Sequence, residues 1–134
     1  MKQINVILEL GKDGYGVSFE QLPTVFGFGE TVDRAKADAQ VALDGYVKAL
    51  GMVGQPIPEI LQGEYELIFE FDIPALLKYI DGTVTKTALA KASGMNASQL
   101  THYSSGLKRP RKQQREKIIN GLHRIGKDLL EFSY

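Results

Sequence analysis

No cysteine occurs among the 134 residues, which excludes a disulfide framework and thiolate chemistry and suits a reducing compartment. Histidine is nearly as scarce: the two present, His102 and His123, both fall in the second half of the chain. The usual zinc and nucleophile constellations are therefore missing. No apolar run is long enough to cross a bilayer. The opening MKQINVILELGKDG also lacks the apolar core and small-residue cleavage site of a signal peptide. These absences lead us to expect a cytoplasmic protein with no membrane partner, no bound metal and no cofactor.

Net charge is absent too, since 16 Lys and Arg balance 16 Asp and Glu, but the balance hides a division. Over 1–74 five cations face twelve acids, a net of −7; over 75–134 eleven cations face four acids, a net of +7. Such asymmetry predicts two modules with different partners. The basic half suits a polyanion, which the acidic half repels. The length allows two small domains, and we assign them to 1–72 and 73–134.

The richest stretch is 85–111, TKTALAKASGMNASQLTHYSSGLKRPR, which reads as a helix-turn-helix. A first helix over 87–93 carries Ala90, whose small side chain suits a close crossing by the second helix. Gly94 supplies a tight turn where positive φ is cheap for glycine. Asn96 can cap a second helix running to about Ser104. Leu100 and Tyr103 share its inner face, and Ala97, Ser98, Thr101 and His102 point to solvent. A short helix with small, hydrogen-bonding side chains outward suits a major groove. Ala97, Ser98, Gln99, Thr101 and His102 are thus candidates for reading base edges. Lys86, Lys108, Arg109, Arg111 and Lys112 are candidates for phosphate contacts, which supply affinity and register.

Around this stretch, Asp72 can cap and Pro74 can open a short helix with Leu76, Leu77 and Ile80 on its buried face, stopped at Asp81-Gly82. After Pro110 a helix over 111–124 carries Ile118, Leu122 and Ile125 along one stripe. Gly126 is expected to break it, leaving 127–132 as a short last turn. There Leu129, Leu130 and Phe132 either complete the core or join a second subunit, and a reader of palindromic DNA needs a dimer contact. His123 reads as solvated.

The acidic half opens with a strand over 5–10, an Asp13-Gly14 corner, and Tyr15, Val17 and Phe19 in alternation: a β-hairpin. A third strand over 25–29 follows. Its glycines lack the Lys-Ser/Thr of a phosphate loop and mark a bulge or a close backbone approach. Thr31 caps a long helix, with Arg34 leaving the capping box incomplete. Val32, Ala35, Ala39, Ala42, Leu43, Tyr46, Val47 and Leu50 form its sheet-facing side, and Gly51 is expected to end it. A stiff link over 54–58 leads to a strand over 65–71. The unit is β-β-β-α-β, giving an α+β protein with an all-α second domain.

At this point a resemblance enters. The run 15–23 (YGVSFEQLP), then Gly29-Glu30-Thr31 and the alanine-bearing helix through Tyr46, resemble the strand–FPDLPG–strand–G-x-T-x-x-E-A–helix pattern of HicB-type antitoxins of bacterial toxin–antitoxin pairs. The segment from Lys86 to Pro110 is similar to the Cro/repressor-like domain that ends one version of that family. Glu20-Gln21 stands in place of Pro-Asp, Thr24 in place of Gly, and Arg34 in place of the helix-opening Glu. The resemblance implies a truncated RNase H-like N-terminal domain without catalysis. It also implies neutralisation of a HicA-type mRNA-cleaving toxin, and repression of the operon by a dimer or higher oligomer bound to double-stranded operator DNA.

Two other functions compete with the antitoxin. A ligand-responsive repressor would use Phe19, Phe26 and Phe28 around an apolar pocket, although core is the commoner place for such aromatics. A metal-dependent nuclease would need Glu9 and Glu20 to flank one point, although solvated strand positions explain these acids more simply.

Overall fold

A computed structural model describes residues 1–133. The chain divides into two compact units, Met1–Ala75 and a second beginning at Leu76. The division falls three residues beyond the boundary read from sequence, because Ala75 is buried in the core of the first unit. Together the elements make a mixed α+β protein.

The first unit contains β1 (Lys2–Leu10), β2 (Tyr15–Phe19), β3 (Phe26–Gly29), α1 (Val32–Met52) and β4 (Tyr65–Phe71). A short 3-10 turn, Glu59–Leu61, follows the stiff link read over 54–58. The strand order is β3-β2-β1-β4, with β1 antiparallel to β2, β2 antiparallel to β3, and β1 parallel to β4. Alternation places Ile4, Val6 and Leu8 of β1 and Tyr15, Val17 and Phe19 of β2 on the buried face. Val32, Ala35, Ala39 and Leu43 of α1 complete this core. Burial pushes the Tyr15 phenol above its ordinary pKa.

Thr31 caps α1 as expected, its hydroxyl accepting from the Arg34 N–H at 3.1 Å. Gly51 does not end the helix. The chain stays helical to Met52 and stops where Gly54 takes φ 70°, with Gly54 N–H donating to Gly51 C=O and Gln55 N–H to Leu50 C=O. This is a Schellman closure, and it needs the left-handed residue that Gly54 supplies.

The glycines of β3 mark a close approach. A Cβ at Gly29 would run into the Ala35 backbone, and one at Gly27 would stand 2.8 Å from Asp38 Oδ2. The same register turns Phe26 and Phe28 away from α1, leaving them 68% and 48% exposed, while Phe19 is buried. Placing all three rings in the core is therefore wrong for Phe26 and Phe28, because in a period-two strand the glycines took the inner positions.

Asp72 opens α2 (Ile73–Tyr79), its carboxylate accepting from the Ala75 N–H at 2.8 Å. The second unit adds α3 (Lys86–Ser93), α4 (Ala97–Ser104) and α5 (Lys112–Leu130). Its buried side chains include Leu77, Leu89, Met95, Leu100, Tyr103 and Ile118. Here too a glycine expectation fails: α5 runs unbroken through Gly126. A glycine inside a helix costs only about 1 kcal/mol relative to alanine, which the flanking turns outweigh. A tight crossing with no counterpart in the sequence reading joins α5 to α3, where Gly121, with no room for a side chain, packs against Ser93.

Candidate functional site

Capping builds the α3–α4 pair from its ends. Thr85 accepts from the Ala88 N–H at 3.0 Å to start α3. Gly94, at φ 73°, closes it, and both Gly94 and Met95 donate to Ala90 C=O. Asn96 then accepts from the Gln99 N–H at 2.8 Å to start α4. Three residues thus turn the chain between two eight-residue helices. Leu100 and Tyr103 of α4 are buried, so its opposite face is presented outward.

On that outward face Ala97, Ser98 and Thr101 are exposed, whereas Gln99 and His102 are half-buried. The Thr101 hydroxyl donates to Ala97 C=O at 3.0 Å, so it is left facing outward as an acceptor. Gly106, at φ 78°, leads into the exposed run Lys108, Arg109 and Arg111. Arg111 occupies the N-cap position of α5 without capping it by its side chain, and Lys112 is the first helical residue. Lys86, half-buried, stands apart from that run at the first position of α3.

Two cations invite comparison with these. Arg115, one turn into α5 and exposed, adds to the same basic segment; its helical phase relative to Arg111 was the available sequence signal. Arg124 does not add to it, because its guanidinium donates to Ala92 C=O at 3.0 Å, holding the last turn of α3.

In the first unit, register separates the two acids considered for metal chemistry. Glu9 pairs across β1 and β2 with Gly16, while the Glu20 N–H bonds to Asn5 C=O, four residues along β1. At the strand rise this is about 13 Å. Among the described residues no three His, Cys, Asp or Glu side chains group to hold a metal ion. Phe26 and Phe28, being exposed, do not enclose an apolar pocket with Phe19; beside Phe28 there is an open groove bordered by Arg34, Asp38 and Val41. No helix among the described residues is long and apolar enough to cross a membrane.

No protein-family model matches the chain, and no curated protein matches it.

Proposed function

We propose that this chain is a non-catalytic antitoxin and autorepressor of the HicB type. In this reading α3 and α4 are a helix-turn-helix that docks on operator DNA, and the first unit, a truncated RNase H-like domain, sequesters a small basic HicA-type toxin. The observation that carries the proposal is that the charge division follows the structural one: five cations against twelve acids in Met1–Ala75, eleven against four in the unit from Leu76. A basic unit gains phosphate contacts and counterion release, and an acidic unit steers a basic protein toward itself.

Ala97, Ser98 and Thr101 are the leading base-edge contacts, with Gln99 and His102 at the margin of the same face. Lys108, Arg109, Arg111 and Lys112 follow the phosphates, with Lys86 as a separate contact. Reading a palindromic operator calls for two copies, and Leu129, Leu130 and Phe132, all exposed, are where a second copy joins.

Co-expression with the small reading frame beside this one tests the proposal. The expected result is a basic protein that arrests growth alone, copurifies with this chain and is silent in the complex. If operator DNA binds but no such protein copurifies, the chain is a repressor and the antitoxin half of the proposal fails.

A further inference from the structure

We infer that the outer face of the four-stranded sheet, the side opposite α1, is the surface that docks a cationic protein. The inference rests on the antitoxin reading above and adds to it the place of contact. Strand register composes the face in rows. One row runs Glu9, Gly16, Phe28, and the next runs Glu70, Ile7, Ser18, Phe26. Asn5 beside Ile68 and Gln3 beside Glu66 continue it. Phe26, Glu9, Glu66 and Glu70 are exposed, and Ile7 and Ile68 are half-buried. The face thus runs from carboxylates on β4 and near the end of β1 to exposed phenylalanine on the β3 edge.

Among the described residues no cation pairs with those carboxylates. Glu66 and Glu70 accept from the Gln3 and Asn5 amides, at 2.9 and 3.1 Å. The ion pair of the first unit is Arg34 with Glu30, elsewhere. Lys2 donates to the Glu59 and Gln62 carbonyls, and Lys36 lies over the Phe69 ring at 5.3 Å. A face whose unpaired charges are of one sign, beside exposed aromatic surface, repels nucleic acid and repels a second copy of itself, whose carboxylates would meet like charge. Its complement is a protein surface with Lys or Arg to one side of an apolar recess that takes Phe26.

The test is calorimetric titration of the full chain with the HicA-type toxin from the neighbouring frame, made inactive by substitution. Glu9→Lys/Glu70→Lys is expected to weaken binding by about tenfold or more, and Phe26→Asp, separately, by a similar factor. Asp33→Lys/Asp44→Lys, the same charge change on exposed positions of α1, is expected to stay within about threefold of the parent. Melting curves establish that each variant is folded before it is titrated. If the α1 variant loses as much as the sheet variants, or the sheet variants bind like the parent, the sheet face is not the dock and the antitoxin reading stands. If the parent chain itself does not bind the toxin, both fall.

Discussion

Gly121 of α5 lies so close to Ser93 of α3 that a β-carbon at position 121 would stand 2.9 Å from Ser93 Cβ and 3.0 Å from its backbone nitrogen. Two helices of the second unit therefore touch through backbone, and neither partner can swing aside. Gly121→Ala is expected to destabilise the unit by about 1–2 kcal/mol, overpacking outweighing the gain in helix propensity. Gly126→Ala, five residues along the same helix, would place its methyl in open space and is expected to stabilise by about 0.5–1 kcal/mol. Denaturant unfolding of both variants checks the pair; equal signs would show that the crossing is not tight.

A second expectation concerns the sheet edge. The Phe28 N–H, on the outermost strand, donates to Asp38 Oδ2 at 2.8 Å, so a side chain from α1 occupies a donor that another strand could use. Asp38→Ala is expected to cost about 1 kcal/mol, to speed hydrogen exchange at the Phe28 amide, and to raise aggregation. Asp38→Asn, which keeps an accepting oxygen, is expected to retain most of the protection. Unchanged exchange in Asp38→Ala would mean that the edge is guarded by something else.

The side chains proposed to face DNA separate by their response to salt. Arg109→Ala/Arg111→Ala is expected to lower the slope of log K against log salt by about 2, near 0.9 for each phosphate that is no longer neutralised. Ser98→Ala is expected to leave the slope alone and to change preference among operator bases by about 1–3 kcal/mol. Fluorescence anisotropy across a salt series reads both, and a slope unaffected by the double variant would remove those arginines from the phosphate path.

Leu130 is 88% exposed at the end of α5. If a second copy joins there, Leu129→Asp/Leu130→Asp is expected to sediment as a monomer, to keep its melting behaviour, and to bind a palindromic operator about tenfold or more weaker while binding a half-site normally. A parent chain that already sediments as a monomer in the presence of operator would dispose of this contact.

Element order was legible in the sequence, from the Tyr15-Val17-Phe19 alternation to the Thr31 and Asn96 caps, because each is a local signal that its own neighbours satisfy. The errors fell on glycines and on what faces them. Gly51 and Gly126 look like terminators, yet a terminator needs a left-handed residue with carbonyls to close, and Gly54 has that role for α1. Phe26 and Phe28 look like core, yet which parity of a short strand turns inward is decided by the helix that lies on it. Gly121 carried no legible role at all, since its partner Ser93 is 28 positions away in sequence. The basic run at 108–112 was legible as exposed, but the engagement of Arg124 with α3 is a tertiary fact that charge counting does not contain.

The reversal on β3 has a consequence for how such a protein changes over generations. With Gly27 and Gly29 inward and the phenylalanines outward, the interior near that edge is made by α1 and by the absence of side chains. The largest residues of the strand contribute little to folding. Substitutions at positions 26 and 28 are thereby uncoupled from the core, so the character of that surface can change without the fold being rebuilt. A lineage carrying this arrangement can change that surface one residue at a time and is expected to remain folded at each step.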